Sequence, residues 1–217
     1  MKKKFLASGI LGLAFIIFII LVCTYDVAHI GPFGTAVGFS TINKAVHETF
    51  PFAELWYDIS EILGYLPIAT AGTFVLLGVY QTIKRKSLFK VDKKLIGLGG
   101  LYAMMVLMYA WFELVIINYR PVVMPGETAV EASFPSSHTM LVCVIMGGAF
   151  VILKDYIKIK WLRVALRSIC VSLALVTVVA RFLSGVHWLT DIVGGVLISL
   201  TLVTFYSAVC DFTETNK

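Results

Sequence analysis

The sequence predicts an all-α membrane protein, a polytopic bundle of six transmembrane helices, and three observations lead there. Its composition is too apolar for a water-soluble domain: 59% of the 217 residues are hydrophobic and 14% charged, with a mean hydropathy of +0.91. Six apolar stretches approach the roughly 20 residues needed to cross the hydrocarbon layer. The basic residues gather in short runs between alternate stretches, which is a signal of topology. That placement accounts for the excess of 18 Lys+Arg over 13 Asp+Glu, so the charge does not imply a nucleic-acid partner.

Taken in order, residues 5–25 and 62–83 are uncharged, and residues 95–119 are interrupted only by Glu113. Residues 132–153 hold no Asp, Glu, Lys or Arg, and residues 192–210 close the set. The fifth stretch, residues 168–180, is short, but Arg163 and Arg167 can snorkel and let its helix begin near Trp161. The first stretch follows Lys2, Lys3 and Lys4 and is longer than the apolar part of a signal peptide, with no A-x-A cleavage site after it. It reads as a retained anchor. Between the first two spans, residues 26–61 form a long acidic loop expected to carry a short interfacial helix near residues 40–50 and to act as a connection. Cys23, Cys143, Cys170 and Cys210 are isolated in apolar sequence with no metal-ligand spacing, as expected of small packing residues. The whole chain, 1–217, reads as one membrane-embedded domain.

Basic clusters precede span one, fill residues 84–94 between spans two and three, and recur at residues 154–167 between spans four and five. Their alternation predicts that these loops and both termini are cytoplasmic. The short loops and basic start suggest a bacterial plasma membrane.

On this frame the polar residues converge. Arg120 follows span three, Pro135, Ser136, Ser137 and His138 open span four, and Arg181 ends span five, while His187 and Asp191 begin span six. All fall at the extracytoplasmic end. His187 and Asp191 are four apart, so on a helix the carboxylate can accept from one imidazole nitrogen and leave the other as a nucleophile. Arg120 and Arg181 offer forked donors that match phosphate oxygens. Ser136 offers a hydroxyl, the backbone N–H groups of residues 136–138 open a helix, and His138 is free to protonate a leaving oxygen. Singly, each has a plainer role as anchor, cap or interfacial residue; it is their joint depth in the membrane that points to chemistry.

These groups resemble the three-part signature of the type 2 phosphatidic acid phosphatase superfamily, KxxxxxxRP, PSGH and SRxxxxxHxxxD. Here they read ELVIINYRP, PSSH and ARFLSGVHWLTD, spanning Glu113 to Asp191. The resemblance implies a six-helix phosphatase fold and hydrolysis through a phosphohistidine without metal or other cofactor. It implies His187 as nucleophile, Asp191 as its orienting partner, His138 as general acid, and Arg120, Ser136, Ser137 and Arg181 around the phosphate. Three positions depart from the pattern: Ser137 replaces a glycine, Ala180 a serine, and Glu113 the lysine.

Glu113 stands seven residues before Arg120, which on a continuous helix would place a carboxylate about 10 Å away on the same face. It is therefore expected to modulate the site. The aromatic residues Trp111, Tyr119 and Trp188 suit the headgroup level of a bilayer. The implied substrate is a lipid phosphate reached from the bilayer: undecaprenyl diphosphate, phosphatidylglycerophosphate or phosphatidic acid. A lipid phosphotransferase is one alternative, and a non-catalytic lipid-phosphate-binding relative is another.

Overall fold

The computed structural model describes residues 1–124 and 126–215. Among them lie seven α-helices: α1 (Lys2–Thr24), α2 (Ser40–Thr49), α3 (Glu54–Arg85), α4 (Lys93–Leu114), α5 (Ser137–Tyr156), α6 (Lys160–Leu183) and α7 (Leu189–Thr215). Single 3-10 turns occupy Pro32–Gly34 and Leu88–Lys90, and no strand is formed among the described residues. All but α2 are long and apolar enough to cross a membrane, so the chain is a multi-pass membrane protein.

Helix α5 is the axis of the bundle, packed against α3, α4, α6 and α7. Its buried face includes Met140, Val144, Ile145 and Ile152. Helix α1 lies antiparallel along α7 and buries Ser8, Phe15 and Val22, spaced seven apart, while Leu6, Ile10, Leu13 and Ile17 stay exposed as a lipid-facing stripe. Lys4 Nζ meets Asp211 Oδ2 at 2.9 Å, so the start of α1 and the last turns of α7 lie at one end of the bundle. The same end is tied by Lys94, which is buried and paired with Asp155 at 2.7 Å and with Glu214, and by Tyr206, whose hydroxyl donates to the Lys94 carbonyl at 3.1 Å.

Of the helix boundaries that differ from those expected from hydropathy, three do so for a clear local reason. Span three stops at Leu114 instead of reaching residue 119. Beyond it the backbone extends and pairs with the run before α5: Ser133 N donates to Asn118 O at 2.9 Å and Arg120 N to Glu131 O at 3.0 Å. Span four starts at Ser137, not residue 132, because Pro135 disfavours a helical Phe134 and Ser136 is the N-cap. Span two begins at Glu54, eight residues before the apolar stretch. The carboxylates at 54, 58 and 61 depress hydropathy without disfavouring helix, and Glu54 suits the positive end of the helix dipole.

The expected interfacial helix is α2, and it braces the start of α7. Asp26 accepts from Ser40 Oγ at 2.9 Å and from Thr41 N at 2.8 Å, and the Thr41 bond first, then Ser40, holds its carboxyl below the usual range. Asn43, fully buried, donates to Gly38 O at 2.8 Å and to Thr190 Oγ1 at 3.0 Å. The four cysteines are free; Cys170 and Cys210 are buried as expected, but Cys23 is exposed on the outer face of α1.

Candidate active site

The site forms at the end of the bundle opposite the termini, where α6 turns into α7. Ser184 Oγ donates to Arg181 O at 2.7 Å as α6 ends, and Gly185 follows at φ +65°, where an added Cβ would lie 2.6 Å from the Pro51 backbone. Conformation and space both require glycine there. This turn presents His187 two residues before the start of α7. Asp191 sits in the first turn of α7 and reaches back to accept the Trp188 N–H at 3.0 Å, the reciprocal half of a capping box. Its other oxygen accepts from Asn118 Nδ2 at 3.0 Å. Fully buried and held from two sides, the carboxylate lies 3.7 Å from His187 Nδ1. His187 thus meets Asp191 from the turn before the helix, where the sequence reading had both on one helical face.

Neither nitrogen of the buried His187 ring makes a well-aligned hydrogen bond in the protein. Burial first, then the positive charges of Arg181 and Arg120, hold this imidazole well below the ordinary histidine range. Both effects favour the neutral ring, in which the nitrogen turned away from Asp191 keeps its lone pair for attack.

Arg181 is fully buried. Its Nη1 donates to Ser60 Oγ at 3.0 Å and to Glu61 Oε1 at 2.9 Å, and its guanidinium lies 5.1 Å from the centre of the Tyr57 ring. Nε and Nη2 have no partner. One side of the guanidinium is therefore fixed to α3 while the Nε/Nη2 edge is left open, a fork suited to two oxygens of one phosphate. Arg120 lies outside any helix, pairs with Glu131 at 2.9 Å and keeps its own Nε unpartnered.

At the start of α5, Ser136 is fully buried. Its backbone N–H donates to Asp191 O at 3.0 Å, so that group is not free for an anion as the sequence suggested. Its hydroxyl faces Thr139 N at 3.5 Å as the cap. Close approach of α7 makes this possible, since a Cβ on Gly195 would stand 3.0 Å from Ser136 O. Ser137 lines a small recess with His187 and Ser133. His138 Nε2 lies 3.1 Å from Glu61 Oε1.

Two cavities meet at His138. One, of about 230 Å³, is an apolar groove between α4 and α5, lined by Met105, Val106, Tyr109, Met140 and Leu141. The other, of about 440 Å³, is a polar mouth with Tyr57, Asp58, Glu61, Arg120 and Glu131 on its wall. His187, Asp191, His138, Arg181, Arg120, Ser136 and Ser137 are thus gathered in one region. Glu113, one residue before the end of α4, is exposed beside Tyr109 and lines the rim of the recess that His187 and Ser137 also line. Trp188 is buried inside the protein, its Nε1 donating to Tyr119 O at 2.8 Å, so it packs against protein and not against lipid.

Sequence reasoning missed Glu61, Ser60 and Asn118. Glu61 carried a usable signal, an ionisable residue directly abutting an apolar span. The partnership of Asn118 with Asp191 joins residues 73 apart and has no local signature. Among the described residues no group of three or more His, Cys, Asp or Glu is arranged to hold a metal ion.

No curated protein matches the chain significantly. Its fold is similar to the crystal structure of a transmembrane PAP2-type phosphatidylglycerolphosphate phosphatase from Bacillus subtilis, with a TM-score of 0.65, 19% identity and 97% of each chain covered. The PAP2 superfamily profile matches residues 101–213, more than half of the sequence and every signature residue from Glu113 to Asp191. The chain belongs to the PAP2 superfamily, as one of its multi-pass membrane members.

Proposed function

We propose that this protein is a metal-independent lipid phosphatase, hydrolysing a lipid phosphate or diphosphate at the extracytoplasmic face of a bacterial plasma membrane through a phosphohistidine. The observation that carries the reading is the buried His187, backed by Asp191 and facing a site with the open fork of Arg181. A ligand-binding site has no use for a desolvated imidazole with an orienting carboxylate; a nucleophile needs both.

In the first step the His187 nitrogen away from Asp191 attacks phosphorus and the bond from phosphorus to the leaving oxygen breaks. A proton on His138 passes to that oxygen. Asp191 draws closer to Nδ1 as the ring gains positive charge, and Arg181 and Arg120 take the equatorial oxygens. In the second step water attacks the phosphohistidine, gives its proton back to His138, and inorganic phosphate leaves as the P–N bond breaks.

The apolar groove ending on His138 supports a substrate that arrives from the bilayer, and the polar mouth supports water entry and phosphate exit. The structural relative is described as a phosphatidylglycerolphosphate phosphatase, which makes that lipid one candidate beside undecaprenyl diphosphate and phosphatidic acid. The test is phosphate release by purified protein in detergent with EDTA, across these three lipids. Release in the presence of chelator is expected, with rates that rank the substrates. Folded protein inert on all three would overturn the reading.

Glu113 is proposed as a modulator at the rim. Being exposed, it acts through screened electrostatics. Glu113→Lys is expected to tighten vanadate inhibition by a few-fold, about 2 to 5, and unchanged inhibition would show that the carboxylate does not act on the bound anion.

A further inference from the structure

We infer that Glu61 is a positioning residue of this site, holding a proton-bearing His138 in register so that poor leaving groups can depart. The inference rests on the phosphatase reading above and adds a residue from α3, outside the three signature segments.

A single oxygen, Glu61 Oε1, contacts both His138 Nε2 at 3.1 Å and Arg181 Nη1 at 2.9 Å. The ring packs over α3, where a Cβ on Gly64 would lie 3.6 Å from His138 Cδ2. The charged and titratable groups acting most strongly on His138 come from four places: Glu61 on α3, Arg120 between α4 and α5, Arg181 on α6 and His187 before α7, while Glu54, Asp58, Glu127 and Glu131 line the same mouth. Two of the first four are permanent cations, and they repel a positive imidazolium.

Two other carboxylates of the site are committed elsewhere, and Asp58 lines the same mouth. Asp191 faces His187, Asn118 and Trp188, and Glu131 is paired with Arg120. Glu61 is the carboxylate in contact with the His138 ring, so it supplies the attraction that opposes the two guanidiniums. When the P–O bond breaks, the proton leaves His138 for the departing oxygen. The ring becomes neutral and Glu61 remains paired with Arg181. A lipid alkoxide is a strong base and needs that proton; a nitrophenolate is a weak base and hardly needs it. Glu61 should matter in proportion to that need.

The experiment compares Glu61→Gln with the unmodified protein on two substrates in one detergent: the best lipid phosphate ester of the assay above, and p-nitrophenyl phosphate. Glutamine keeps an oxygen to accept from Arg181 and removes the charge. The ratio of kcat on the lipid to kcat on the aryl ester is expected to fall by about 30-fold, within the range that general acid catalysis supplies. Glu61→Asp, which keeps the charge on a shorter stem, should recover part of that ratio. Equal proportional losses on both substrates would overturn the inference by making Glu61 a structural or phosphate-clamping residue. No loss on either would overturn it too. If the unmodified protein releases phosphate from neither, the phosphatase reading fails and this inference with it.

Discussion

His187→Ala is expected to lower kcat by at least about 10⁴-fold on any lipid phosphate, because it removes the atom to which the phosphoryl group is transferred. The loss should be one of chemistry and not of folding. His187 makes no well-aligned hydrogen bond in the protein, and Asp191 keeps its bonds to Asn118 and Trp188 when the ring is gone. The cost in stability is that of a buried side chain leaving a cavity, about 2 kcal/mol. Phosphoenzyme trapped from a radiolabelled lipid should be present in the unmodified protein, labile to acid as a P–N bond is, and absent from the variant. Residual turnover above about one part in a hundred, from a variant melting near the unmodified protein, would remove His187 from the nucleophile's role. The folded ring stays neutral where an unfolded histidine takes up a proton, near pH 6.5. Its linkage therefore has one sign: the associated stability is present above about pH 6.5 and is lost as pH falls below it.

The spans were legible because bilayer crossing leaves a coarse signal that tolerates errors of a turn. The site was legible in part for a different reason. Arg181, His187 and Asp191 lie within eleven consecutive residues, so their spacing constrains their geometry even though His187 proved to precede the helix. Glu113 shows the limit: its seven-residue offset from Arg120 means little once α4 ends at Leu114 and the chain turns to pair with residues 131–133. Glu61 shows the converse. Hydropathy assigned it to a loop, yet α3 starts two turns earlier and aims it at residues 77 and 120 positions away. Such contacts follow from how helices pack around α5, which no local pattern encodes.

Arg181 is the second position where a large effect is expected, and it separates two roles by choice of variant. Arg181→Ala removes the open fork and also strips Glu61 and Ser60 of their shared donor. Turnover should fall by about 10³-fold or more, as for loss of a principal charge stabiliser of a phosphoryl transition state. Stability should fall by about 3 kcal/mol, the lower end for breaking a buried pair, since Glu61 itself is 35% exposed and can recover some hydration. Arg181→Lys keeps the charge on a single nitrogen. An ammonium can satisfy Glu61 and Ser60 or reach the phosphate, but it cannot hold both sets of partners in the fixed planar geometry of a guanidinium. Most of the stability should therefore return while turnover stays about 10²-fold down, with weaker vanadate inhibition. Melting temperature in detergent and kcat/KM, measured side by side, check the separation. If lysine restored turnover in full, the open Nε/Nη2 edge would not be the phosphate fork, and Arg181 would serve only to tie α6 to α3.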